Sequence, residues 1–494
     1  MFFIIVFILH ILEVTIISFS LKVFLNYIIY FNVLISILII IREKKQPEKT
    51  LSWALFLMAI PIVGLFFYIF FGRNWKIHKL RDDNNYELTR LIEPIIHKYK
   101  FQEYEPLIQL TAQNSDSPIF VNNLVTILQN GEKKFETLKK ELKKAKHHIH
   151  LEYYIVRSDT IGTEIKNILV AKANSGVKVR FIMDRFGAIT CKKSFIEEMK
   201  NNGIEIVYYD YFLAPLFRHI NTQINYRNHR KIVVIDGIVG FIGGINIADE
   251  YLGKGKLGFW RDTHLMIKGS FVLGLQSVFL DDYLTIQRAN KYYVFYDFDF
   301  EKYFPIPTSK GNVPMQLIQS GPESEYPSIL HSIIKMITLA KDHIYITTPY
   351  FVPNESLMDV LKIAALGGIN IKIMFPHTPD HALVHTASET YLYELVNCGV
   401  EVYYYNPKGF LHSKSITVDG ELCTVGTANM DIRSFFLNYE INALIYDKNI
   451  STILEKDFLD DLRYCKRITS DYYENMSNLK KLKQAFARIF SSLL

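Results

Sequence analysis

Two segments, "NHRKIVVIDG" at 228–237 and "LHSKSITVDG" at 411–420, each carry a histidine, a lysine two places on and an aspartate five places further. After each, two small residues precede an asparagine: Gly243-Gly244 then Asn246, and Gly426-Thr427 then Asn429. A single His-x-Lys is common on protein surfaces, but two copies with matching offsets point to paired chemistry. Side chains two apart on a strand share a face, so His229 lies beside Lys231 and His412 beside Lys414. One site drawing on both segments suits a phosphodiester. Lysines and asparagines hold its non-bridging oxygens and the charge that develops on them. One neutral histidine attacks phosphorus while the other, protonated, gives its proton to the leaving alkoxide. The freed base then activates an incoming alcohol or water, and this chemistry calls for no metal and no cofactor.

Asp236-Gly237 and Asp419-Gly420 close the apolar runs as Asp-Gly hairpin turns. Both aspartates belong to the candidate catalytic set, although a turn role is favoured over direct chemistry. Asp262 in "WRDTH" and Glu440 in "NYEIN" follow the two motifs at similar positions. They are expected to orient the imidazoles and stabilise their charged form. The small residues before Asn246 and Asn429 are expected to let a ligand approach the backbone.

The elements that must position these residues are themselves duplicated. "AKHHIHLEYYIV" (145–156) pairs with "AKDHIYITTPYFV" (340–352), "SGVKVRFIMD" with "GGINIKIMFP", and "NNGIEIVYYD" with "NCGVEVYYYN", in the same order. Short β-rich runs alternate with helical patterns such as 163–176 and 355–368. This order predicts an α/β fold of two pseudo-symmetric domains, with mixed sheets flanked by helices. The expected boundaries are 117–290 and 312–494, with a linker at 291–311 and a juxtamembrane connector at 72–116. The first half carries an insertion, 211–228, expected as a loop near the site.

Before the repeats, 21–41 and 51–71 are apolar over about the length that crosses a hydrocarbon core. They predict two N-terminal transmembrane helices, and the apolar stretch within 1–20 is a possible extra span. Basic residues flank the spans at 42–50 and 73–81 almost equally, so the positive-inside rule assigns no sidedness. The net charge of +6 is modest for a nucleic-acid binder, and 49% apolar content excludes a disordered chain. Four scattered cysteines without a CxxC pair indicate neither disulfides nor zinc. His377, His381 and His385 recur every four residues but read as the polar start of a helix. At 478–494, Leu479, Leu482, Phe486, Ile489, Phe490 and Leu493 fall at helical spacing among lysines and Arg488. Such a basic amphipathic helix either lies on anionic lipid or packs its stripe on the domain.

The duplicated His-x-Lys-x4-Asp motif resembles the signature of the phospholipase D superfamily. Within it, "PEKTLSWALFLMAIPIVGLFFYIFFGR" (47–73), "HLEYYIV", "NHRKIVVIDG" and the terminal "SSLL" resemble the bacterial cardiolipin synthases. The resemblance runs from about 30 to 494 and implies reversible phosphatidyl transfer between two phosphatidylglycerols through a phosphohistidine. It implies His229 as nucleophile, His412 as acid and base, and no cofactor. The expected partners are phosphatidylglycerol and anionic membrane lipid, with no nucleic acid. The expected setting is a bacterial cell membrane, multi-pass, with the catalytic domains on the cytoplasmic side. The same histidines would also serve a phospholipase D making phosphatidic acid, or transfer to another alcohol. A catalytically inactive lipid-binding protein would have lost a histidine or lysine from one copy, and both copies are intact.

Overall fold

The apolar runs that follow each His-x-Lys form strands that are buried apart from Ser415, as a sheet covered on both faces requires. A computed structural model describes residues 19–42, 47–68, 72, 104–209, 226–289, 300–489 and 491. The chain divides into two units: 1–77 with 211–225, and 78–210 with 226–494.

In the larger unit the first half supplies β1 (Phe120–Gln129), β2 (His148–Tyr153), β3 (Lys178–Asp184), β4 (Glu205–Tyr209), β5 (Arg227–Asn228), β6 (Lys231–Ile235), β7 (Val239–Gly243), β8 (Phe259–Arg261) and β9 (Thr263–Lys268). The second half supplies β10 (Val313–Ser320), β11 (His343–Thr347), β12 (Phe351–Val352), β13 (Asn370–Pro376), β14 (Glu401–Tyr405), β15 (Gly409–Leu411), β16 (Ser415–Val418), β17 (Leu422–Gly426), β18 (Met430–Asp431), β19 (Asn438–Ile445) and β20 (Lys466–Ile468).

One sheet runs through both halves in the order β4-β3-β2-β6-β7-β9-β1-β10-β19-β17-β16-β11-β13-β14-β20. It reads the same inward from either edge, apart from the added β20. Each half begins with parallel strands and turns antiparallel at β2–β6 or β11–β16. The halves meet where β1 and β10 pair antiparallel, with Phe120 opposite Met315 and Asn123 opposite Val313. Separate apolar cores lie beneath the two halves. The helix Glu105–Ser115, inside the segment expected as a connector, places Leu107 and Ile108 in the second core.

The smaller unit contains α1 (Phe19–Arg42), α2 (Pro47–Ala59) and α3 (Pro61–Phe67). Val33 and Ile40 of α1 pack with Leu57 and Tyr68, and Trp53 meets Tyr68 edge-on at 5.5 Å between ring centroids. The single span expected over 51–71 is instead broken after Ile60. Pro61 offers no amide hydrogen to continue α2 and starts α3 at its first turn. Among the described residues no helix is long and apolar enough to cross a membrane. The apolar stretch at 1–18 and the insertion at 211–225 lie outside the described residues.

Candidate active site

Both motif histidines are held across the molecular pseudo-symmetry. β5 pairs in parallel with β19, setting Arg227 opposite Asn438 and Asn228 opposite Tyr439. The His229 amide continues that pairing to the Tyr439 carbonyl at 2.9 Å, next to Glu440. Its ring Nδ1 lies 2.9 Å from Glu440 Oε1 and 3.0 Å from Oε2. The second half repeats this arrangement in mirror roles. β15 pairs in parallel with β8, setting Leu411 opposite Arg261. The His412 amide donates to the Arg261 carbonyl at 2.8 Å, and its Nδ1 lies 2.7 Å from Asp262 Oδ2. Each half therefore lends a carboxylate to the other half's histidine and leaves that ring's Nε2 for chemistry.

The lysines follow on β6 and at the start of β16. Lys231 Nζ donates to the His229 carbonyl at 2.6 Å, and Lys414 Nζ donates likewise to the carbonyl of His412. Lys231 feels the charge of Lys414, and both lysines feel Asp262 and Glu440, so the two motifs form one site. Burial sets the charges there. It lowers Lys231 to about 7, with the Lys414 ammonium adding to the effect, and Lys414 to about 8, while the carboxylates resist in both cases. Burial lowers His229 to about 4 against the pull of Glu440, and His412 well below the usual imidazole range. It also raises Asp262 to about 7 against the attraction of Lys414. Burial thus favours neutral imidazoles, and an arriving anion would restore charge to the lysines.

The two histidines differ in their surroundings. His412 is boxed by Trp260, Tyr251 and Phe410 at ring-centroid distances of 5.3, 5.5 and 6.0 Å. His229 has Tyr154 at 5.1 Å.

Asn246 is buried; its Oδ1 accepts from the Ile155 amide at 3.1 Å and its Nδ2 donates to the Tyr251 hydroxyl. Asn429 is also buried, and its Oδ1 has no hydrogen-bond partner among the described residues. The small residues before them serve a purpose other than the one expected. A Cβ on Gly244 would stand 2.3 Å from Asp262 Oδ1, and one on Gly426 would stand 2.1 Å from Asn442 Oδ1. What approaches the backbone there is the supporting side chain, and Gly244 makes room for the carboxylate that holds His412.

Asp236 and Asp419 lie outside this cluster, at the far ends of β6 and β16, about 16 Å along the strand from the lysines. Both occupy the left-handed region, with φ 54° and 53°, ahead of Gly237 and Gly420 at 67° and 65°. Asp236 accepts the amides of Lys146, His147 and His148 at 2.8, 2.8 and 2.9 Å. Asp419 accepts those of Lys341, Asp342 and His343 at 2.7, 2.9 and 2.8 Å. They fasten each motif hairpin to its neighbouring strand.

Several site residues escaped the sequence reading. Asn228 and Arg230 flank His229 on the opposite strand face. Asn228 reaches Glu152 at 2.5 Å, while Arg230 pairs with Asp282 and meets Gln319 at 3.0 Å. Their polarity within a buried strand was the available signal. Asp380, whose charge is felt by His412 and Lys414, lies in no motif and gave none. Of the histidines at 377–385, His385 Nε2 lies 3.0 Å from the Pro376 carbonyl, and no group among the described residues could hold a metal.

The family model described as "Cardiolipin synthase, PLD-like domain" matches residues 138–256 and 333–462, and "Phospholipase_D-nuclease N-terminal" matches 31–73. Cardiolipin synthase of Geobacillus kaustophilus is 41% identical, covering 94% of this chain and 92% of the relative. Major cardiolipin synthase ClsA of Bacillus subtilis is 37% identical, covering 96% of this chain and 99% of the relative. The crystal structure of phosphatidylserine synthase from Haemophilus influenzae superposes with a TM-score of 0.60 at 14% identity, over 79% of this chain and all of that one. The last likeness concerns the fold.

Proposed function

The chain belongs to the phospholipase D-like cardiolipin synthase family, and from that premise we propose that it moves a phosphatidyl group between two phosphatidylglycerols, giving cardiolipin and glycerol. The observation that carries this reading is the pair of histidines, each backed by a carboxylate from the other half, around two buried lysines.

His229 Nε2 attacks the phosphorus of the donor lipid and forms an N–P bond as the P–O bond to glycerol breaks. His412, as imidazolium, gives its proton to the departing oxygen and is left neutral. It then takes the proton of a terminal hydroxyl on the second phosphatidylglycerol. That oxygen attacks phosphorus, the N–P bond breaks, and cardiolipin leaves with both histidines restored. Lys231, Lys414 and the Asn429 amide hold the phosphoryl oxygens, with Asn246 in support. Bond types match on the two sides of the exchange, so the reaction is reversible and runs with the supply of lipid and loss of glycerol.

Charge balance supplies the acid. Two ammonium groups set against two carboxylates leave the site near neutrality, so the single negative charge of a phosphodiester is met by protonating one histidine. The chain works in the bacterial membrane, anchored through its N-terminal apolar segments with the catalytic unit on the cytoplasmic side, and takes lipid rather than nucleic acid.

The test is incubation of the detergent-extracted protein with phosphatidylglycerol alone, without ATP or cytidine nucleotides, followed by lipid and glycerol analysis. Cardiolipin and glycerol in equal amounts are expected, with a peptide carrying a phosphatidyl group on His229 after acid-free quenching. Phosphatidic acid as the main product would make the protein a hydrolase. Turnover only after adding another alcohol would overturn the acceptor.

A further inference from the structure

The helix Asn478–Ile489 (α4) is built inside out for a helix on a water-exposed domain. Its inner face, against the helix Ala382–Val396 (α5), is polar. Gln484 Nε2 donates to Glu389 Oε2 at 2.9 Å, Lys480 Nζ reaches Glu389 Oε1 at 3.3 Å, and Arg488 pairs with Glu394. Ala487 joins a small apolar cluster with Val352 and Ala387. The outward face carries Leu479, Leu482, Phe486 and Ile489, each 60–72% exposed. Between this face and the first turn of α5 runs a groove of about 550 Å³ lined by Leu383, Thr386, Leu482 and Phe486. Leu383 is itself exposed.

We propose that this stripe is a membrane foot: α4 lies on an anionic bilayer, with its apolar side chains at the level of the upper acyl chains. The occupant follows from the charge. The helix has no acidic residue, and beside the inward-paired Lys480 and Arg488 it carries Lys481 and Lys483, cations that suit acidic headgroups at the interface. Inward polar anchors and outward leucines suit a flat apolar medium that needs no shape complementarity. The place follows from the chain path: α5 starts just after Asp380, whose charge reaches His412 and Lys414 and whose carboxylate accepts from the Tyr350 hydroxyl. The foot therefore stands beside the site and sets it at headgroup height, where a phosphodiester reaches the lysines without leaving the lipid surface. The surface reading stands on its own; only the benefit to turnover rests on the function proposed above.

The test uses the full chain with a bimane fluorophore on Leu482→Cys, the unsubstituted chain labelled in parallel, and Lys193→Cys as a control on an exposed helix of the first half. The protein is mixed with phosphatidylcholine vesicles with or without phosphatidylglycerol, some with brominated acyl chains. Expected is a blue shift and bromine quenching at 482, stronger with phosphatidylglycerol, and neither at 193. A 482 label that stays water-exposed with vesicles overturns the foot. One already shielded without lipid also overturns it, placing a segment of the chain or a second copy over the stripe. Because this readout needs no turnover, it separates the foot from the reaction. Joint Leu482→Asp and Phe486→Asp should lower turnover on vesicles roughly tenfold and leave turnover on detergent-dispersed lipid within about twofold. Equal turnover on vesicles would remove the foot from the reaction.

Discussion

His412 Nδ1 and Asp262 Oδ2 lie 2.7 Å apart although 150 residues separate them in the chain. The contact exists because β15 pairs with β8 across the two halves, and its counterpart between His229 and Glu440 exists because β5 pairs with β19. Neither half can hold its own histidine, so the site and the duplicated sheet are one construction.

Asp262→Asn is the direct probe of that relationship. An amide in place of the carboxylate no longer stabilises the imidazolium and can fix the wrong tautomer. The kcat for phosphatidyl transfer should fall about 100-fold, with KM within about twofold, and Glu440→Gln should behave likewise. Initial rates against lipid concentration decide it. A loss confined to KM would make the carboxylates binding groups.

The pH dependence follows from the same burial. Asp262, near 7, must be ionised, so kcat/KM falls below that value; Lys414 near 8 and Lys231 near 7 must be protonated, so it falls above. The profile of kcat/KM should be a narrow bell close to neutrality, with limbs that belong to the coupled set rather than to single residues. In Asp262→Asn the acid limb should flatten while the alkaline limb stays. A profile flat from pH 6 to 9 would contradict the assignment.

Asp236→Ala and Asp419→Ala separate the turn role from chemistry. Each removes the acceptor for three backbone amides, a loss of roughly 2–3 kcal/mol in a partly exposed setting. The apparent Tm should drop, and kcat measured well below it should stay within about twofold of the parent. Asp→Asn, which keeps one carbonyl acceptor, should lose less. A normal Tm with lost turnover would return these aspartates to the catalytic set.

The motif spacing made much of this legible. Period-two alternation put His229 with Lys231 and His412 with Lys414, and the Asp-Gly pairs marked turns whose aspartates carry positive φ. Their similar positions after the two motifs drew attention to Asp262 and Glu440. Hidden from the sequence was that each serves the opposite half, because strand exchange leaves no local signature: "GFL" at 409–411 reads as an ordinary strand whichever partner it takes. The single continuous sheet was hidden for the same reason, since β1 and β10 resemble edge strands until they meet. Pro61 was visible in the run 51–71, yet apolar length outweighed its power to break a helix. The direction of the C-terminal stripe could not be read either, because spacing gives a helix's apolar face and not what lies against it.

Lys231 offers a final check that the site's charge is held against stability. It is fully buried, and burial lowers its ammonium from 10.5 to about 7. Between those values the unfolded chain binds the extra proton, so this residue's share of stability rises with pH across that window; below about pH 7 both states are protonated and the full penalty applies. Lys231→Met keeps the stem's packing and removes the charge. It should raise the apparent Tm at neutral and lower pH, with the gain shrinking as pH climbs toward 10, while abolishing transfer. Thermal scans across pH, run beside the parent, read both effects. A Tm that falls at every pH would mean that the bond from Lys231 Nζ to the His229 carbonyl outweighs the cost of burying the charge, and that this lysine supports the fold as well as the phosphate.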